Sequence, residues 1–369
     1  MPQRAVPMIA ILSALLLSAT PARAQQPPNI LSPEVHPDRR VTFRLYAPKA
    51  EAVRLTSMEG HEPKPMSKGA DGVWTVTVGP LAPEIYSYAY EIDGAPMVDP
   101  RNPDVKVWLQ LNSLVEVPGD PPRLHEVQNV PHGVVHMHTY RSKALDLTRE
   151  LYVYTPPGYE PGGAALPVVY LLHGNGDLAD AWTSVGRAHV IADNLIAQKK
   201  IGPLVIVMPY GHVRSPRFGP MTPDVRQQNN DGVRRDLLED VMPFVESTYG
   251  VSRDADRRAI VGLSMGGGQS LSTGLSRLDL FRWIGAFSAG TPQGNLDALF
   301  PDLAARTAKD LRLLWIACGR SDFLLERNDA FHAWLTERGI EHEYTLTEGG
   351  HEWPLWRRYL GEFLQAIFR

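Results

Sequence analysis

The stretch Arg258-Ala259-Ile260-Val261 runs into Gly262-Leu263-Ser264-Met265-Gly266, a G-x-S-x-G followed by Gly267-Gly268 and a segment that can be helical. A strand-to-helix turn this tight forces its serine into strained backbone geometry, and glycine two residues to either side removes side chains that would collide with neighbouring chain. The Ser264 hydroxyl is then lifted above the sheet as a candidate nucleophile. The following helix aims its N-terminal amides at the same place, so the backbone N–H of Met265 can donate to a developing oxyanion. Alone, the pentapeptide could be an ordinary glycine-rich turn. Its position after a predicted strand and before a predicted helix points instead to acyl transfer.

A serine hydroxyl needs a base to take its proton, and the base needs a third group to fix its tautomer and stabilise its charge. Three histidines follow Ser264: His332, His342 and His351. His332 lies in a periodic helix over Asn328–Arg338 and His342 begins a strand ending at Leu346, so both read as surface or packing residues. His351 lies in Glu348-Gly349-Gly350-His351-Glu352-Trp353, a loop beyond a strand end where two glycines let the ring reach over the sheet; it is the expected base. For the acid, the apolar strand Leu311–Ala317 ends in Cys318-Gly319-Arg320-Ser321-Asp322, which places Asp322 just past a carboxyl end, where catalytic groups of open α/β sheets collect. Asp297, Asp302, Asp310, Glu326 and Asp329 compete but read as helix or cap residues.

A second oxyanion donor should come from the loop after an earlier strand. Val168–Leu172 leads into His173-Gly174-Asn175-Gly176-Asp177, whose glycines allow the Asn175 N–H to turn inward, with His173 bracing the loop. Near the proposed site, Trp182, Gln269 and Trp353 are expected to touch substrate; Trp182 and Trp353 could stack on an aromatic acyl group or a sugar, or simply cover the core. Trp74 and Trp108 further upstream read as buried packing rather than a sugar platform. His136 and His138 would share one face of a strand, but with no nearby carboxylates they are not expected to hold a metal. No cofactor is expected.

These residues need a frame. From about Val134 onward, apolar strands at Pro167–Leu172, Pro203–Met208, Arg258–Leu263, Trp283–Phe287 and Leu311–Ala317 alternate with periodic segments such as Gly232–Tyr249, which predicts a mainly parallel sheet covered on both faces. Before it, from Asn29 to Val117, short stretches alternate every second residue (Arg40–Tyr46, Ala52–Leu55, Val73–Val78, Tyr86–Ile92), separated by turns such as Asp71-Gly72 and Asp93-Gly94. That is the pattern of a small all-β, immunoglobulin-like sandwich with no helix. The proline-rich Pro118–Pro122 links the two. Residues 1–24, with Arg4, the apolar run Val6–Leu17 and small residues Ala22 and Ala24, read as a signal peptide, so the expected division is 1–24 signal peptide, 25–118 sandwich and 119–369 α/β domain, secreted or periplasmic.

The 369 residues are ample for two or three domains. A net charge of −4 without a basic face argues against nucleic acid as a partner, and one cysteine, Cys318, excludes a disulfide scaffold or a thiolate metal cluster. After signal cleavage no membrane contact is expected, because no other apolar run approaches about 18 residues.

The chain resembles carbohydrate esterase family 1, the esterase D type of α/β hydrolase that includes feruloyl esterases. The similarity runs through Tyr154–Tyr159, Leu171-Leu172-His173-Gly174, Val207-Met208-Pro209, Gly262–Gly267 and Gly349–Trp353. It implies Ser264 as nucleophile, Asp322 as acid, His351 as base, and Asn175 with Met265 as oxyanion donors. The sandwich resembles early-set domains related to glycogen-binding modules. One departure is Glu352, where members often carry threonine. The expected substrate is a small-molecule or polysaccharide-linked ester, most simply a hydroxycinnamoyl ester of plant cell wall. An acetylxylan esterase, a siderophore esterase or an acyltransferase would use the same triad, and a non-catalytic carbohydrate-binding protein is the alternative of a different class.

Overall fold

The computed structural model describes residues 28–215, 219 and 222–369, so the segment read as a signal peptide lies outside the described residues. Up to Val117 the period-two stretches become ten strands and, among the described residues, no helix: β1 (Glu34–Val35), β2 (Val41–Tyr46), β3 (Val53–Thr56), β4 (Lys64–Pro65), β5 (Ser67–Lys68), β6 (Val73–Val78), β7 (Glu84–Ile92), β8 (Ala95–Met97), β9 (Val105–Val107) and β10 (Leu111–Val117). They form two antiparallel sheets, β1-β2-β6-β5 and β4-β3-β7-β10-β9, with β8 paired to β7. Alternation decides what is buried: Val41, Phe43 and Leu45 of β2 meet Tyr86, Tyr88 and Tyr90 of β7 in one core.

The second domain is an eight-stranded sheet in the order β11 (Val134–Ser142), β12 (Leu147–Thr155), β14 (Val205–Pro209), β13 (Val168–Leu172), β15 (Arg258–Leu263), β16 (Trp283–Phe287), β17 (Leu313–Gly319), β18 (Glu343–Thr347). β12 runs antiparallel to both neighbours, and from β14 to β18 every pairing is parallel. Central strands of such a sheet are covered on both faces, so they need apolar residues at every position rather than at alternate ones. β13 shows this directly: Val169 and Leu171 enter the core on one face while Val168, Tyr170 and Leu172 enter the core on the other.

The helices are α1 (Ala181–Ser184), α2 (Ala188–Ala197), α3 (Pro223–Asp236), α4 (Met242–Tyr249), α5 (Ser264–Ser276), α6 (Leu296–Leu299), α7 (Leu303–Asp310), α8 (Leu325–Glu337) and α9 (Trp353–Ala366). The helix expected from Gly232 begins at Pro223 instead and passes through a π turn, Leu237–Val241, into α4. Its first turns are polar and so carry no apolar period, but Thr222 caps it and proline occupies the first turn, both legible start signals.

The two domains are tied by an ion pair between a buried arginine and a half-buried glutamate. The Arg357 guanidinium on α9 donates to Glu84 Oε1 of β7 through Nε at 3.0 Å and Nη2 at 2.7 Å, and Nη1 reaches the Val185 carbonyl at 2.7 Å.

Candidate active site

Ser264 opens α5 directly after β15 and has φ +52°, the left-handed region that costs a non-glycine residue roughly 1–3 kcal/mol. The flanking glycines are required by backbone. A Cβ on Gly266 would lie 2.5 Å from the Leu172 carbonyl oxygen and 2.6 Å from that of His173, and one on Gly262 would lie 2.6 Å from the Gly266 carbonyl carbon. The elbow is therefore wedged against the end of β13, and Ser264 projects from the carboxyl edge of the sheet.

His351 and Asp322 come to the same place from loops after β18 and β17. His351 Nε2 is 2.9 Å from Ser264 Oγ, and His351 Nδ1 is 2.9 Å from Asp322 Oδ2 and 3.1 Å from Oδ1. Asp322 Oδ1 also accepts the Leu324 N–H at 2.8 Å. Burial would raise the Asp322 carboxyl, but the His351 hydrogen bond and charge, the Leu324 amide and the Ser288 hydroxyl outweigh it and hold the group below the ordinary carboxylate range. The anion that orients and charges the imidazole is thus built in. His332 and His342 pair with each other at 2.7 Å, while Asp297, Asp310 and Asp329 bond Arg338, Arg282 and Tyr344.

Two rings pack on the imidazole: Trp356 meets it edge-to-face at 4.9 Å between centroids, and Phe323 lies tilted against it at 4.5 Å. Phe323 is 74% exposed, an apolar ring left at the mouth of the site beside the nucleophile. Ser288, at the end of β16, has φ +46° and bridges Trp356 Nε1, at 3.1 Å, to Asp322. Sequence reading missed Ser288, because a serine in a left-handed conformation leaves no local mark.

The loop Gly174–Asp177 runs beside Ser264, such that a Cβ on Gly174 would stand 3.5 Å from Ser264 Cβ. It is braced by two neutral imidazoles. His173 Nδ1–H donates to the Gly174 carbonyl at 2.8 Å, and its Nε2 accepts the Gly211 N–H at 2.8 Å; burial pushes its pKa down to about 4. His212 Nε2 accepts the Gly176 N–H at 3.1 Å, and burial with the neighbouring His173 and Arg149 lowers it to about 3. The Met265 amide lies in the first turn of α5, where helix N–H groups have no intrahelical acceptor.

Three expected substrate contacts are corrected. Trp182 is fully buried, donates Nε1–H to the Leu172 carbonyl and packs on Phe287 and Trp353. Trp353 is 2% exposed, because the first turn of α9 faces the core. Gln269 is 3% exposed on the second turn of α5 and donates to the Gly211 carbonyl at 3.1 Å and Asn230 Oδ1 at 3.2 Å, bracing the 211 loop. Trp74 is buried in the sandwich, as expected, but Trp108 is 36% exposed. It sits in the turn between β9 and β10, reaches the other domain and donates Nε1–H to the Asn175 carbonyl at 2.8 Å. His136 and His138 do share a face of β11, their rings bonded to Thr155 Oγ1 and the Tyr249 hydroxyl. Among the described residues, no cluster of three or more His, Cys, Asp or Glu suits a metal.

Fold and site together define an α/β hydrolase preceded by a β-sandwich module. Residues 142–367 match the esterase family model described as "Putative esterase", and residues 31–108 match carbohydrate-binding module 48, the isoamylase N-terminal domain. The chain belongs to this esterase family, and its second domain is that of a carboxylic ester hydrolase. An endo-1,4-beta-xylanase/feruloyl esterase of Xylanibacter ruminicola is 28% identical over 345 residues, covering 91% of this chain and 46% of that protein. An acetyl esterase of Caldicellulosiruptor saccharolyticus is 29% identical over 33% of this chain and 58% of its own. The chain thus spans about half the length of these curated relatives. Among solved structures, a ferulic acid esterase of Anaeromyces mucronatus matches with a TM-score of 0.59 at 24% identity, over 66% of this chain and 93% of that one. An enterochelin esterase of Shigella flexneri shares the fold across both domains, with a TM-score of 0.65 at 19% identity over 89% of this chain and 92% of that one.

Proposed function

We propose that the protein is a serine esterase that releases hydroxycinnamoyl groups from plant cell-wall polysaccharide through an acyl-enzyme. The observation that carries the chemistry is the hydrogen-bonded relay from Ser264 Oγ through His351 to Asp322, both links at 2.9 Å. In this mechanism Ser264 attacks the ester carbonyl as His351 Nε2 takes its proton. The Met265 and Asn175 amides hold the oxyanion, each contributing about 10²–10³-fold in rate. His351 passes the proton to the departing alcohol, and water repeats the sequence on the acyl-enzyme. Negative charge develops on the carbonyl oxygen, where the two amides hold it, and positive charge on the His351 imidazolium, where Asp322 holds it, so no step calls on a cofactor.

Support for an aromatic acyl group comes from the exposed Phe323 ring beside His351 and from the feruloyl-esterase relative that covers most of this chain. Export is proposed from the signal-peptide pattern of residues 1–24. The test is a panel of methyl ferulate, methyl p-coumarate, p-nitrophenyl acetate and longer acyl esters, run beside Ser264→Ala and with added acceptor alcohols. The reading expects turnover with a preference for the hydroxycinnamates, abolished in Ser264→Ala. Preference for acetate would move the substrate to acetylated xylan, and acyl transfer outrunning hydrolysis would make it an acyltransferase. Binding to xylan without cleavage of any ester would refute the enzyme reading.

A further inference from the structure

The oxyanion loop is held from both domains. Consider its two successive peptide units. The Gly174 carbonyl and the Asn175 N–H belong to one planar, trans unit, so they point in opposite directions. His173 Nδ1–H at 2.8 Å and the Asp177 N–H at 3.3 Å both draw the Gly174 carbonyl to one side. The Asn175 N–H must face the other. The next unit joins the Asn175 carbonyl to the Gly176 N–H, and it is pinned at both ends: the N–H by His212 Nε2 at 3.1 Å and the carbonyl by Trp108 Nε1–H at 2.8 Å. Three of these anchors are supplied by the hydrolase domain itself. The fourth comes from a turn of the sandwich, 67 residues earlier in the chain.

A second cross-domain contact adjoins it. Lys106, on β9, places Nζ 3.4 Å from Asp177 Oδ1, and both side chains are nearly buried. The same ammonium lies 5.6 Å over the Trp108 ring and 5.4 Å over Trp353, so it is boxed between two aromatic faces and a carboxylate. The approach is close enough to dictate a residue on the hydrolase side: a Cβ on Gly176 would fall 2.8 Å from both Trp108 Nε1 and Leu109 Cγ. Neither contact touches Ser264, His351 or Asp322.

We infer that the β-sandwich is a working part of the hydrolase site, with Trp108 and Lys106 as positioning residues that lock the Gly174–Asp177 loop in the one orientation that offers the Asn175 N–H to the oxyanion. This rests on the esterase reading above. It makes the N-terminal module a structural determinant of turnover even for an ester that carries no sugar, rather than only an attachment to carbohydrate.

The full-length protein is assayed with p-nitrophenyl acetate, which is too small to engage a carbohydrate surface. Trp108→Phe keeps an aromatic ring but removes the indole donor, with some loss of packing that the unfolding midpoint monitors; Lys106→Met keeps the stem and removes the charge. Because the oxyanion donor acts in the transition state, each variant should lose about 10- to 100-fold in kcat with KM changed by less than about twofold. Trp74→Phe removes an equivalent indole bond, to the Ala47 carbonyl at 3.0 Å within the sandwich, and should leave kcat unchanged. Thermal unfolding midpoints of Trp108→Phe and Trp74→Phe within a few degrees of the parent confirm that the loss in kcat is local. Parent-like kcat in both Trp108→Phe and Lys106→Met would overturn the inference. So would a rise in KM with kcat preserved, which would make the turn a substrate contact instead. A parent protein that cleaves no ester would sink the esterase reading itself, a result distinct from either.

Discussion

Asp322→Asn isolates the electrostatic and tautomeric part of the relay while leaving its shape intact. Asp322 Oδ1 accepts the Leu324 N–H at 2.8 Å, and Oδ2 faces His351 Nδ1 at 2.9 Å. An amide in this pocket must keep its oxygen toward Leu324, since an NH₂ there would meet a backbone donor. Its NH₂ then falls on the Oδ2 position, facing His351 Nδ1. Two donors cannot share that contact, so the imidazole shifts its proton to Nε2, the nitrogen that has to accept from Ser264 Oγ. A base holding the wrong tautomer is expected to cost about 10⁴-fold in kcat. That corresponds to roughly 5 kcal/mol of transition-state stabilisation. Steady-state kinetics on a soluble ester, with circular dichroism and the unfolding midpoint as controls, measures it. A loss under tenfold in a folded variant would refute the assignment of Asp322 and the tautomer reasoning with it.

Three further perturbations test the surrounding frame. Gly266→Ala places a Cβ 2.5 Å from the Leu172 carbonyl oxygen, against backbone that cannot turn aside, so it should destabilise by about 1–3 kcal/mol in urea and lower kcat at least as strongly as loss of an oxyanion donor. His173 is neutral in the fold with its pKa lowered from 6.5 to about 4, so the unfolded chain binds the extra proton and stability falls as pH drops from 6.5 toward 4. Between pH 7 and 5 this amounts to about 2 kcal/mol, which the neutral His173→Gln should not show; equal pH slopes in parent and variant would reject it. Arg357→Met leaves the half-buried Glu84 with His125 Nε2, 3.3 Å away, as its remaining ionisable partner among the described residues and should cost about 2–3 kcal/mol of unfolding free energy, with part restored by adding Glu84→Gln. Denaturant titrations of the single and double variants measure the pair, and a single-variant loss under about 1 kcal/mol would contradict its assigned role.

Much of the site was legible because its constraints are local. The elbow at Ser264 is a matter of sterics within five residues, so glycine spacing discloses it. Asp322 and His351 could be chosen among their competitors because open α/β sheets place reactive groups past strand carboxyl ends, and strand ends can be read from where apolar runs stop. The sandwich was legible from period two, and the covered sheet from unbroken apolar strands. What sequence proximity could not tell was direction. Trp182, Gln269 and Trp353 stand next to the reactive loops in the chain, yet each turns inward, because the helix that carries it packs that face against the sheet or a neighbouring loop. Polar character was no better a guide for Gln269, whose amide is satisfied by loop backbone rather than by solvent or substrate.

The order and spacing of residues were thus sufficient for the class of fold, and they singled out the candidate nucleophilic turn and the carboxylate and imidazole that the fold brings beside it, since each follows from interactions along a few turns of chain or from the shared geometry of strand ends. Only the tertiary structure decided which aromatic rings reach the mouth of the site and which fill the core. It also decided that Trp108 meets Asn175, that Lys106 meets Asp177, and that Arg357 meets Glu84 across 273 residues. Those contacts depend on how two independently patterned domains settle against each other. That placement is set by surface shape and buried charge at the junction, and neither has a period or a motif by which a linear reading could find it.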